Sequence, residues 1–375
     1  MKIVRIEMSA LKTKVEGSHM TSTVDISSKE SCIVRIFTDD GIFGVGDAQR
    51  PESPSAMCYL IRDVLAPLLL GRDPRDIEEL WSSMYTVLRA RGRTKGFTIE
   101  ALSAVDIALW DILGKSLNAP VYRLLGGSCR ATLRAYATEV MLGKPGPERL
   151  QDAQGYVNAG FGAFKVAAGI NIDEDVAFIK QLRDRFGYTV DIAVDANCGL
   201  TYNSALRFAK SLERFEVMWL EEPMPPEFID QYVELHRGTS TPIAAGESEF
   251  TVFGFKDWIG RNALDIVQPD VGRTGGISQL KKISDLSGAY GVEFAPHCGH
   301  GSAVTYSATA HVAKSSKNFK IFELEQLHNP LREQLVLRPM KPAQGGQISI
   351  RDEPGLDIEL DEAFAKSCEV LSLSA

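Results

Sequence analysis

This sequence has no cluster of lysine and arginine, no Cys-x-x-C pair and no apolar run long enough for a membrane. Each absence removes a class of function. With 41 Lys+Arg against 49 Asp+Glu, the net charge is −8 and the basic residues are dispersed; a nucleic-acid or anionic-membrane partner needs a concentrated basic face. The six cysteines (Cys32, Cys58, Cys129, Cys198, Cys298 and Cys368) are scattered and read as reduced, mostly buried thiols. Cys198 and Cys298 lie beside candidate site residues, so a reactive thiol competes there with an inert one. The most apolar early stretch, Val64 to Gly71, is far too short to span a bilayer. The opening MKIVRIEMSA alternates like a strand and lacks the basic-then-apolar order of a secretory leader. The expectation is a cytoplasmic protein with no membrane and no nucleic-acid partner.

What is present is an ordinary globular composition, 44% hydrophobic and 24% charged over 375 residues, enough for a barrel of about 200–250 residues and a second domain. Residues 1–50 read as an antiparallel meander: Met1 to Met8 and Ser31 to Thr38 alternate, Asp39-Asp40-Gly41 signals a turn, and Ile42 to Val45 begins another strand. The polar loop KVEGSHMTSTVDISSKE interrupts it; a lid over a site competes there with a plain surface loop. From about Pro54 to Leu125 the pattern is helical, most clearly in TIEALSAVDIALWDILGKSLNAP.

After Gly127 the rhythm becomes strand, helix, strand, helix. Eight strands are expected at Leu133–Glu139, Ala163–Ala167, Thr189–Asn197, Val217–Glu222, Ile243–Glu247, Ile266–Asp270, Val292–His297 and Lys320–Glu325. The fold class is therefore α/β, a (β/α)7β TIM-like barrel with an α+β capping domain. The expected division is 1–127 for the cap, 128–327 for the barrel and 328–375 for a segment returning to complete the cap.

Five strand ends carry the chemistry: TVDIAVDAN, VMWLEEP, PIAAGES, LDIVQPD and VEFAPH. Asp195, Glu221 and Glu247 are evenly spaced by 26 residues, about one strand, helix and two loops, so they stand at matching ends of neighbouring parallel strands. Three hard oxygen donors at one barrel mouth suit Mg²⁺. A structural ion pair is the competing reading for any one of them, and a weak one for three in register. Asp270 and His297 end consecutive strands, and a carboxylate on one imidazole nitrogen frees the other to act as a base. Alternation turns Asn197 the same way as Asp195. His300 is placed either to contact substrate or to cap the next helix. In GFGAFKVAAG, Lys165 and Ala167 share a face, and Lys165 is placed to hold a carboxylate or, with its pKa lowered by burial, to move a proton. In KIFELE, Glu323 and Glu325 share a face; a protonated Glu323 could donate to a substrate carboxylate, and one of the two could instead be an ion-pair partner.

Taken together, these residues resemble the mandelate racemase subgroup of the enolase superfamily over nearly the whole chain. TDDGIFGVGDA, AVDIALWDILGK and VYRLLGG resemble its capping domain; VDAN, EEP and GES its Mg²⁺-ligand strands; IVQPDVGRTGGI and APH the strands of its Asp–His dyad. The resemblance implies Mg²⁺ on Asp195, Glu221 and Glu247, a base dyad of Asp270 and His297, and a carboxylate-contacting glutamate at Glu323. It also implies a homo-oligomer. Many members carry Lys-x-Lys on the second barrel strand; here the second position is Ala167. A racemase needs a base on each face of the α-carbon, so the expectation is dehydration: His297 removes the α-proton of a sugar acid, an aldonate or aldarate, and the β-hydroxyl leaves to give a 2-keto-3-deoxy acid. A racemase or epimerase using His297 and Lys165 is the alternative. A cycloisomerase is weaker, because the subgroup with that chemistry lacks the histidine base, and a catalytically silent binding protein is remote. The substrate would be a small carboxylate, read by Asn197, His300, Glu325 and the loop around His19.

Overall fold

The computed structural model describes residues 1–15, 20–23, 27–49, 53–343 and 345–375, and of Gln49 and Glu139 the backbone alone. The amino-terminal strands β1 (Ile3–Lys14), β2 (Ser28–Thr38) and β3 (Phe43–Gln49) form an antiparallel sheet. The β1 ladder continues past the expected Met8 to Lys14, because β2 pairs with it as far as Lys14 and β13 (Glu369–Ser374) as far as Leu11. Near the end of the chain, β13 supplies the outer strand of this sheet, in the order β13-β1-β2-β3.

Helix Phe97–Ser116 packs against β3 at very short range, where Gly44 and Gly46 leave space for the helix carbonyls of Ala108 and Ala104. The helix is buried on nearly all sides, because it lies between the sheet and the barrel. That is why its sequence is apolar around more than one stripe.

The barrel strands are β4 (Leu133–Val140), β5 (Ala163–Ala167), β6 (Asp191–Asp195), β7 (Trp219–Glu221), β8 (Ile243–Ala245), β9 (Ile266–Val267), β10 (Glu293–Phe294) and β11 (Phe322–Glu325). All run parallel, β11 pairs with β4, and a bridge between Phe294 and Phe319 closes the ring. Several ladders are shorter than their apolar runs. Both faces of a barrel strand are buried, so hydrophobicity continues past the last ladder bond and does not mark it. The tail adds β12 (Gln347–Ile348), antiparallel to β4, before β13 (Glu369–Ser374). Among the described residues no helix is long and apolar enough to cross a membrane.

One residue from each strand position fills the barrel lumen: Tyr136, Ala163, Ala193, Trp219, Ala244, Ile266, Ala295 and Ile321. Two large rings, Tyr136 and Trp219, meet edge to face at 5.4 Å, and small alanines around them keep the lumen filled without overpacking. This layer is the floor of the site.

Candidate active site

Strand alternation places the residue two positions further on directly above each floor residue. Ala163 is followed by Lys165, Ala193 by Asp195, Trp219 by Glu221, Tyr136 by Thr138, Ala295 by His297 and Ile321 by Glu323. In the ladders Asp195 stands beside Glu221 and Ala167, and Lys165 stands beside Ala193. A cavity opens on this layer, lined by Thr21, Thr138, Met141, Lys165, Ala167, Asp195, Asn197, Glu247, His297, Gly299, His300 and Glu323.

Lys165 stands among carboxylates, its Nζ 2.6 Å from Glu221, 3.0 Å from Asp195 and 3.1 Å from Glu323. Burial opposes its charge, but Glu221, Glu323 and Asp195 outweigh burial and hold its pKa well above that of an ordinary lysine. It is a carboxylate-binding ammonium here, not a lysine with a lowered pKa. Glu221 also accepts the Trp219 indole N–H at 2.8 Å. Burial, then the charge of Asp195, pushes Glu221 up to about 8, and burial raises Asp195 as well. Glu222 is buried beside Glu247 and accepts the Cys198 thiol at 3.1 Å.

His297 Nδ1 is 2.7 Å from Asp270 Oδ2, while the other Asp270 oxygen accepts the Gly272 N–H at 2.7 Å. Asp270 thereby holds the ring, and His297 Nε2 faces Glu247 at 3.2 Å. Burial opposes the imidazolium, but Glu247, Glu323 and Asp270 together raise the His297 pKa to about 10. Glu323 receives the backbone N–H groups of Cys298 and Gly299 at 2.9 and 3.1 Å. Despite burial, Lys165 and His297 hold its carboxyl below the ordinary value. Glu323 is an acceptor in this structure, against the expectation of a protonated donor.

Asn197 lines the cavity with its backbone in the left-handed region, and its N–H donates to Asp195 at 2.9 Å. His300 also lines the cavity. The helix it was a candidate to cap is capped instead by Ser302, whose hydroxyl accepts the Val304 N–H. Glu325 lies behind His300 and away from the cavity lining: it pairs with His300 at 2.8 Å, Arg332 at 2.8 Å and Lys29. Both glutamates are ion-paired, Glu323 at the cavity with Lys165 and Glu325 away from it. His19 lies outside the described residues. Described residues next to it do reach the mouth, Met20 bridging Leu142 and Ser22 donating to the Ala196 carbonyl at 2.8 Å. The Cys198 and Cys298 thiols are both pushed up by burial and by neighbouring carboxylates, so neither is a thiolate.

Sequence reading missed Thr138, Met141, Lys29 and Gln268. Thr138 was recoverable by alternation from Tyr136. Lys29 reaches the site from the other domain, across 296 positions to Glu325, and no local pattern announces that. Gln268, in the layer above Ile266, has both amide atoms buried without a partner among the described residues.

The donors fit a hard divalent cation. Asp195 and Glu221 are buried together and already clasp a cation, the Lys165 ammonium, and Glu247 ends the next strand. Among the described residues no three acidic, histidine or cysteine side chains converge on one point, because Lys165 stands between two of them and His297 faces the third.

Comparison with known proteins gives two adjoining family matches: the mandelate racemase / muconate lactonizing enzyme N-terminal domain over residues 5–126, and the enolase C-terminal domain-like family over residues 148–364. A D-galactarolactone cycloisomerase of Agrobacterium fabrum is 32% identical over 96% of this chain and 97% of its own length. An arabinonate dehydratase of Saccharolobus solfataricus is 36% identical over 87% of both chains. A racemase of Streptomyces coelicolor A3(2), solved with bound magnesium, superimposes with a TM-score of 0.90 at 28% identity, over 98% of this chain and 100% of that one.

Proposed function

This chain belongs to the mandelate racemase / muconate lactonizing enzyme family of the enolase superfamily, and from that footing we propose that it is a Mg²⁺-dependent sugar-acid dehydratase. The observation that carries the proposal is the asymmetry of the mouth. An Asp-held histidine, His297, stands on one side, and on β5 the position two beyond Lys165 is Ala167, which cannot serve as a second base.

Asp195, Glu221 and Glu247 would hold the metal. Bound there, Mg²⁺ supplies the positive charge that acidifies the α-C–H and steadies the charge left when the proton goes. The Lys165 ammonium pairs with the substrate carboxylate as it now pairs with Glu323. The charge of Glu247 does most to hold the proton on His297 in this structure; with Glu247 committed to the cation that hold would be relieved, and His297 Nε2 takes the α-proton while Asp270 keeps Nδ1 protonated and the ring in place. The electron pair left on the substrate then expels the β-hydroxyl as water, and the enol becomes a 2-keto-3-deoxy acid. The relative named an arabinonate dehydratase supports this substrate class.

A second reading has its own support in the relative named a D-galactarolactone cycloisomerase. The same proton abstraction would then expel a ring oxygen and no water would be lost. One experiment separates the readings. Sugar acids and their lactones are incubated with enzyme and Mg²⁺ in D₂O, keto products are trapped with semicarbazide, and the mass change is recorded. Loss of water from an open-chain acid supports the dehydratase. A keto product isomeric with a lactone supports the cycloisomerase. Deuterium at the α-carbon with no keto product from any compound would sink both and leave epimerisation.

A further inference from the structure

We propose that His300, clamped between Lys29 of the cap and Glu325 of the barrel, is the acid that protonates the departing β-hydroxyl; this rests on the dehydratase reading. Elimination needs a proton at the leaving oxygen, on the carbon next to the one His297 deprotonates, and a second group can deliver it without waiting for His297 to turn.

Three observations converge on His300. It lines the same cavity as His297, Lys165 and Asp195. Its Nδ1 is 2.8 Å from Glu325 Oε1, and the Lys29 ammonium, on β2, touches both that nitrogen and that oxygen. Arg332 and Asn329 hold the other Glu325 oxygen at 2.8 and 3.3 Å, so the carboxylate cannot swing away. Third, His300 has a φ of 64°, a left-handed backbone that a side chain this size adopts at a cost of roughly 1–2 kcal/mol. Asn197, Cys198 and Glu222 at the same mouth share that conformation, and strain of this kind gathers where position matters more than comfort.

The clamp offers Nε2 as the donor. An imidazolium donates through Nδ1 to Glu325 and keeps a proton on Nε2. A neutral ring that accepts from Lys29 at Nδ1 also carries its proton on Nε2. The remaining tautomer, with Nδ1 protonated and Nε2 bare, still donates to Glu325 and is the state the imidazolium reaches once Nε2 has given up its proton. Charged groups facing the ring among the described residues include Lys29 from β2, Glu325 from β11 and, behind it, Arg332 from helix Pro330–Glu333. In the step, the C2–H pair becomes the C2=C3 bond, the C3–O bond breaks with its pair on oxygen, and the Nε2 proton completes water. Solvent reprotonates His300, and C3 gains its proton as the enol ketonises. Lys29 is then a positioning residue, and a displaced cap would cost elimination before it cost proton abstraction.

The test uses the sugar acid found by the screen and its 3-deoxy-3-fluoro analogue, whose fluoride leaves without a proton. In His300→Asn, water elimination should fall by about 10²- to 10⁴-fold, while deuterium exchange at C2 and fluoride release both stay within about threefold of wild type. Lys29→Met should split the same two activities in the same direction, and it serves if the first variant does not fold. Exchange and elimination falling together, fluoride release lost with water release, or elimination unchanged would each overturn the assignment. A wild-type enzyme that dehydrates no sugar acid would overturn the dehydratase reading itself, and that failure is visible before any variant is made.

Discussion

Gly299 shows how little room surrounds the base. A Cβ at this position would lie 3.0 Å from His297 Nε2 and 3.7 Å from Glu323 Oε1, so the methyl of alanine would press on the nitrogen that takes the proton. Misplacement by even about 1 Å at a reacting centre can cost about 10²-fold in rate. Gly299→Ala should therefore lower kcat by about that factor and leave Tm within a degree or two, read by steady-state kinetics beside a thermal melt. An unchanged kcat would argue that His297 Nε2 is not the base. Glu221 tests the cation in the same way. A ligand that binds only the folded state stabilises it by about 2.7 kcal/mol at 100 times its Kd. Adding Mg²⁺ to metal-stripped wild type should raise Tm and EDTA should reverse the rise. Glu221→Gln keeps an acceptor for the Trp219 indole but should lose the response; a Tm rise equal to that of wild type would remove Glu221 from the ligand set. At this scale the sequence was legible wherever spacing carried the message. Asp195, Glu221, Lys165, His297 and Glu323 share the layer above the barrel floor, as alternation requires. Glu323 and Glu325 defeated it because two residues along a strand are about 7 Å apart: the same face holds both, yet only the first meets the cavity.

The elements depend on close approaches that hydrophobic pattern does not express. At Gly46 a Cβ would fall 1.8 Å from the Ala104 carbonyl oxygen, and at Gly44 one would fall 2.1 Å from that of Ala108. Helix Phe97–Ser116 thus rests directly on the β3 backbone, and the obstacle is main chain, which cannot rotate away. Gly46→Ala should destabilise by about 3 kcal/mol through overpacking, seen as a lower denaturation midpoint; a change below about 0.5 kcal/mol would mean the helix shifts freely. The same helix carries Asp106, which accepts the Ser278 hydroxyl at 2.6 Å, and Trp110, whose indole N–H donates to the same hydroxyl at 2.9 Å. Element type was readable from period, 2 in the first strands and 3.6 in this helix. Element ends were not, because β9 and β10 are two-residue ladders inside longer apolar runs, and ladder length depends on neighbours that the local sequence does not name. β13 was equally obscure. Its half-buried, alternating residues acquire meaning only against β1, more than three hundred residues upstream.

At the scale of the whole molecule, the cap and the barrel are joined through buried polar contacts as well as through the site. Trp81 donates to the Gly275 carbonyl at 2.8 Å, and the Tyr122 N–H donates to His311 Nδ1 at 3.0 Å. His311 gives this junction a pH dependence. The ring is fully buried, its Nδ1 is committed as an acceptor and its Nε2 has no partner among the described residues. Burial, with the nearby Lys314 charge, depresses its pKa from 6.5 to about 3. The unfolded chain therefore binds the proton at 6.5 while the folded chain refuses it until about 3. Between those values the unfolded state holds more protons, so stability falls as pH falls. The penalty is absent above pH 6.5, reaches about 2 kcal/mol at pH 5 and grows until about pH 3. His311→Asn retains an oxygen to accept the Tyr122 N–H and has nothing to protonate. Packing lost in the variant lowers its starting stability at pH 7.5, and that offset is constant across the range. Melts of both proteins from pH 7.5 to 5 should show the wild type losing stability faster, so that the two curves converge by about 2 kcal/mol. Parallel curves would mean that acid reaches this junction through some other group.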